Sequence, residues 1–224
     1  MRSRRPLLAT LALLPLAALS GALSGCQSAY YAAMEKAGYA KRDLLASRVK
    51  SASAAQEEAK QEIVSALEQF SRTVNFLGGE LESQYRKLDG QLKDSEEAAA
   101  RVGKRIADVQ EVADALFREW RQELSQYSSA DLRRRSEQQL GATQQRYGQM
   151  LAAMRQAESR MEPALRPLRD QVLFMKHNLN ARAVGALKGE VARVDAEVNR
   201  LVADINRAVA EASRFVRSLE EPGG

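Results

Sequence analysis

Apolar residues recur at alternating steps of three and four along most of the chain between Leu45 and Leu219, a spacing that restricts it to long helices, each burying one stripe. The first stretch holds the seam at Leu45, Val49, Ala52, Gln56, Ala59, Ile63, Ala66, Phe70 and Thr73, with Gln56 as its polar interruption. A second runs from Leu81 through Leu92, Val102 and Val109 to Trp120, and a third from Leu140 through Met150, Met161, Leu165 and Val172 to Leu179. The fourth runs without a gap from Val184 through Val194, Leu201 and Phe215 to Leu219. Aromatic residues make up only 5% of the chain, and Ala, Glu, Gln, Arg and Leu dominate, which favours helix over strand at most positions. The chain is therefore expected to be all-α, with coiled-coil-like packing.

Three short breaks separate the stretches. Asn75-Phe76-Leu77-Gly78-Gly79 combines two glycines free to adopt positive φ with acidic Glu80 and Glu82, which suit a helix N-terminus. Ser128 and Ser129 are expected to cap the third helix, and Asn180 the fourth. Connections this short force neighbouring helices to run in opposite directions, so the expected fold is an elongated up-down-up-down antiparallel four-helix bundle. At 1.5 Å per residue it would form a rod about 55 to 70 Å long. Phe117 and Leu124 late in the second helix, and Val202, Val209 and Val216 in the fourth, widen the stripe and favour packing within one chain. Pro163 and Pro167 interrupt the third seam, where Met161, Leu165 and Leu168 add a four-residue step; a kink is expected there, a break being the alternative. This topology brings the first and third connections together, so Asn75, Gly78 and Gly79 are expected to meet His177, Asn178, Asn180 and Arg182 in a polar distal tip. Helix capping is the competing explanation for those asparagines.

The N-terminus follows a different logic. Arg2, Arg4 and Arg5 precede an uncharged apolar run from Pro6 to Leu23 and then small residues, the order of a bacterial export signal. Leu23-Ser24-Gly25-Cys26 resembles the lipobox of bacterial lipoproteins, which implies cleavage after residue 25 and acylation of Cys26, with chains such as palmitate. Cys26 is the only cysteine, and acylation leaves an exported chain with no reactive thiol. The expected organisation is a leader over 1–25, a lipidated tether over 26–34 and a helical domain over 35–221. By the same resemblance, Gln27 favours the outer membrane with the chain facing the periplasm, retention at the inner membrane being the alternative. Loss of three leader arginines lowers the formal charge from +5 to +2, which removes the electrostatic case for nucleic acid.

Catalytic constellations are sparse. His177 is the only histidine, and Phe174 stands where a helical Glu-x-x-His metal site needs its glutamate, so no metal, cofactor or enzymatic activity is expected. Trp120 falls on a seam and is expected in the core, contact with a partner or membrane interface being the alternative. The stripe of Met150, Met154, Met161 and Met175 is expected in the core, an adaptable ligand groove being the alternative. Arg133, Arg134 and Arg135 read as a solvated first turn, phosphate or lipid-headgroup contact being the alternative.

The segments NFLGGELESQY, DVQEVADALFREW and RMEPALRPLRDQVLFMKHNLNARAVGAL resemble a family of exported proteobacterial proteins catalogued as a domain of unknown function. That resemblance implies a helical envelope protein and transfers no functional residue. The expected role is a lipid-tethered, non-enzymatic spacer or adaptor for an envelope protein partner. The alternative is a binding module for lipid or a cell-wall component.

Overall fold

The computed structural model describes residues 41–76 and 80–220; the leader, Cys26, the tether and the tip glycines Gly78 and Gly79 lie outside the described residues. Every regular element within them is helical: α1 (Lys41–Val74), α2 (Leu81–Glu123), a single 3₁₀ turn (Leu124–Gln126), α3 (Ala130–His177), α4 (Ala181–Gly185) and α5 (Lys188–Glu220). They belong to one compact unit.

The seam of α1 is buried as its spacing demands: all nine positions from Leu45 to Thr73 have no solvent exposure. In α5, Val194, Val198, Leu201, Ile205, Ala208, Ala212, Phe215 and Leu219 form the matching stripe. α1 packs against α2 and α5, α3 packs against the same two helices, and α1 touches α3 along a narrower strip. Paired side chains fix how the helices align. From α1 to α2, Lys41 meets Glu119 at 2.8 Å, Glu58 meets Arg101 at 2.8 Å and Gln69 meets Gln84 at 3.0 Å, so numbers rise along one helix as they fall along the other. Arg169 to Glu96 and Trp120 to Ser136 repeat the pattern between α2 and α3, as do Lys50 to Glu220 and Lys60 to Asn206 between α1 and α5.

Gln56, the polar interruption of the first seam, donates from Nε2 to the Met154 carbonyl oxygen of α3 at 3.0 Å, while its Oε1 is buried without a partner. A buried acceptor left without a hydrogen bond costs about 1–3 kcal/mol, so Gln56 sets the level of α1 against α3 at some expense in stability.

The sequence expectations need two corrections. The fourth seam is split: α4 ends at Gly185, Ala186 and Leu187 form a turn, and α5 starts at Lys188. Gly185 and Gly189 flank that turn, and glycine weakens a helix by about 1 kcal/mol per residue, enough to let the chain bend while Val184 and Leu187 stay buried. In α2, Phe117 is buried and Trp120 only half-buried, because the widened stripe turns Phe117 inward. α3 is one helix through Pro163 and Pro167, so the alternative of a break into two helices does not occur. Each proline removes the amide that would bond the carbonyl four residues back, at Ser159 and Pro163. Packing compensates: Met161, Ala164, Leu165 and Leu168 are all buried across the four-residue step.

An aromatic cluster joins three helices. The Phe117 and Tyr147 rings meet edge-on with centroids 5.4 Å apart, and Tyr147 lies 6.0 Å from Phe215. Burial, reinforced by the Asp114 carboxylate and opposed by Arg155, pushes the Tyr147 phenol from its ordinary value near 10 up to about 12. The folded protein therefore holds this proton where the unfolded chain has released it. The stabilisation is complete below pH 10 and is lost as the pH rises towards 12. Urea midpoints measured across that range should fall less steeply for Tyr147→Phe than for the parent; equal slopes would show that the phenol does not contribute.

Candidate functional site

The end of the unit where α3 runs into α4 holds most of the residues expected at the polar tip. Asn75 donates from Nδ2 to the Ser71 carbonyl at 2.9 Å, and Asn178 donates likewise to the Phe174 carbonyl at 2.9 Å. Asn180 accepts from the Ala183 amide at 2.9 Å and is the N-cap of α4. All three asparagines thus satisfy backbone groups of their own helix ends. His177, the last residue of α3, and Arg182 are exposed. α4 lies against α1, which draws the third connection towards the helix that carries Asn75.

Apolar residues at this end are the feature that polar reasoning missed. Leu173 is 61% exposed, Phe174 43% and Leu179 37%. Within Val172-Leu173-Phe174-Met175, Val172 and Met175 face the core while the two residues between them face solvent. Four consecutive apolar residues exceed what one helical stripe can bury, and that run was the legible signal.

The remaining large exposed apolar side chains among the described residues, Tyr127 and Leu132, lie where α2 passes into α3. Ser129 caps α3 by accepting from the Leu132 amide at 3.4 Å, in line with the serine-cap expectation. Trp120 Nε1 donates to Ser136 Oγ at 2.8 Å, and the Arg42 guanidinium of α1 sits 5.8 Å from the indole centroid. Arg134 and Arg135 both pair with Asp131, at 3.2 and 2.9 Å. The large exposed apolar groups therefore occupy two ends and leave the flanks between them polar.

The methionine stripe is core: Met150, Met154, Met161 and Met175 are all buried. A surface hollow of about 410 Å³ lies between α3 and α5, lined by Arg160, Pro163, Arg166, Pro167, Arg193, Glu197 and Arg200. Each of its arginines already has an acidic partner within 3.6 Å: Asp204, Glu162, Glu190 and Glu197 respectively. That pairing limits the field the hollow can offer an anion. Among the described residues no group of three or more His, Cys, Asp or Glu side chains is placed to hold a metal ion, and no helix is long and apolar enough to cross a membrane.

A family of proteins of unknown function, DUF2959, matches residues 30–219, a span that takes in the helices described above except for Glu220, the last residue of α5. The chain belongs to the DUF2959 family. The DUF2959 match begins after Cys26 and the apolar run of residues 6–23. No curated protein matches the chain, and no solved structure does.

Proposed function

We propose that this DUF2959 protein is a lipid-anchored, periplasm-facing protein of the outer membrane that serves as a non-enzymatic adaptor. In this reading the signal is cleaved before Cys26, and acyl chains on Cys26 hold the helical unit at the membrane. The four long helices form an antiparallel up-down-up-down bundle, bent in α3 at Pro163 and Pro167. The cross-helix pairs such as Lys41 with Glu119 and Lys50 with Glu220 support that topology.

The observation that carries the adaptor reading is the confinement of large exposed apolar side chains to the two ends. A bundle built only to fill space has no reason to expose Leu173 and Phe174, whose burial would be worth about 1.5–3 kcal/mol each. Leu173 and Phe174, with Leu179 exposed just past the end of α3, are apolar groups of the kind that anchor protein contacts. Photoreactive residues at Leu173 or Phe174 should give a discrete protein adduct in cells, whereas one at exposed Asn199 on the flank should not. If neither end position captures protein, the adaptor role is rejected.

The second reading, a binding module for lipid or a cell-wall component, draws its support from the arginine-lined hollow. Native mass spectrometry of gently purified protein separates the two. A lipid or glycan held at one per chain would favour the binding module, and bare protein would favour the adaptor.

A further inference from the structure

Among the described residues, the α2–α3 hairpin extends beyond α1 and α5. Glu220, the last residue of α5, lies 2.7 Å from Lys50, so α5 stops about 13 Å along α1 from Lys41. α2 continues past Glu119, the partner of Lys41, and α3 starts beyond that level. Residues 121–123, 125–128 and 130–135 are accordingly exposed. Solvent bathes this two-helix finger where a core would otherwise form. At its tip Tyr127 is 43% exposed and Leu132 53%. Between residues 118 and 135 the chain carries five arginines against three carboxylates; Glu119 is paired with Lys41, and the single Asp131 is shared by Arg134 and Arg135, which leaves the tip a net positive charge. Arg133 makes no ion pair among the described residues.

The finger stands at the end where the described chain begins. Lys41 and Arg42 bind its base through Glu119 and Trp120. Cys26 is fifteen residues earlier, a reach of at most about 50 Å even if fully extended. We infer that the tip of this hairpin, with Tyr127 and Leu132 as apolar contacts and Arg133, Arg134 and Arg135 as cationic ones, docks on the anionic phospholipid surface to which Cys26 is tethered. This rests on the lipid-anchor reading and adds to it an orientation: the finger faces the membrane, and Leu173 and Phe174 face away. The chemistry fits a bilayer interface, where an aromatic ring and a leucine enter the headgroup boundary while guanidinium groups meet phosphates. Sequence alone favoured a solvated turn for the three arginines; the apolar pair beside them on an uncovered finger changes that reading.

The lipidated full chain, reconstituted in vesicles of phosphatidylethanolamine and phosphatidylglycerol, tests it directly. Ser128→Cys places an environment-sensitive thiol label between Tyr127 and Leu132, and Lys188→Cys places one in the exposed first turn of α5. The label at 128 should emit as in an apolar medium and be quenched by brominated acyl chains, and the label at 188 should behave as in water. Combining Ser128→Cys with Arg133→Glu, Arg134→Glu and Arg135→Glu should reduce the response at 128 to that of 188. Equal aqueous exposure at both positions overturns the docking, as does an unchanged response after the charge reversals. The anchor is judged separately, because an acylated Cys26 leaves the parent chain without a thiol to label. A parent chain that takes up the label refutes the anchor, and quenching at 128 in a chain combining Cys26→Ser with Ser128→Cys, added to the same vesicles, then still decides the docking.

Discussion

Replacing Phe215 by alanine is expected to destabilise the helical unit by about 3–5 kcal/mol, measured as a lower urea midpoint with unchanged helix content in water. Phe215 is among the largest side chains wholly enclosed in the core, and its ring lies 6.0 Å from that of Tyr147, which meets Phe117 edge-on. The substitution removes the transfer energy of the ring and leaves a cavity at the junction of α2, α3 and α5. Long, regular helices cannot close such a cavity without shifting over several turns, which places the cost at the upper end of the range. Phe117→Ala should couple to it through Tyr147, so the double variant is expected to lose less than the two single losses added together. A loss below about 1 kcal/mol for Phe215→Ala would mean that the cluster is not part of the cooperative core.

A chain exported with Gln27 as its first residue, and therefore without an acylated cysteine, is expected to leave the membrane fraction almost completely. Each methylene transferred into a bilayer contributes about 0.8 kcal/mol, and two or more long acyl chains together exceed any contact the hairpin finger can make. The finger's arginines add about 1 kcal/mol each at an anionic surface, a contribution that salt screens. Fractionation of cells that express this variant beside the parent measures the difference. Continued recovery of the unlipidated chain with membranes at high salt would show that some other interaction carries the attachment.

The two changes address different levels of the molecule, and the sequence disclosed those levels unequally. Helical class and the centre of α1's core face were legible: nine seam positions were named from spacing and all nine are inaccessible to solvent, although Leu44, Ala46, Ala55, Leu67, Gln69 and Val74 beside them are buried as well. Caps were legible too, because Ser129 and Asn180 act through bonds to amides three residues away, and such short-range geometry is written in local sequence. Within the tip, the asparagines act as the capping explanation for them expects. Each satisfies its own helix end, and the more distinctive groups beside them are Leu173 and Phe174.

Periodicity reports which face of a helix is apolar, and nothing in it reports where the neighbouring helix stops. α3 has 48 residues and α5 has 33, so part of the longer helix has no α5 beside it. That mismatch decides which apolar residues are covered. It leaves Tyr127 and Leu132 in solvent and helps to hold Trp120 half-buried at the base of the finger, although a seam runs through its position. The turn at Ala186 and Leu187 has a similar origin, since Val184 and Leu187 both reach the core from a chain that bends between them. The sequence by itself determined that this protein is helical, which stripe of each long helix is buried and how the main caps form. Only the tertiary structure decided which ends project, because exposure depends on the lengths and alignment of separate helices, and those are set by contacts between residues far apart in the chain.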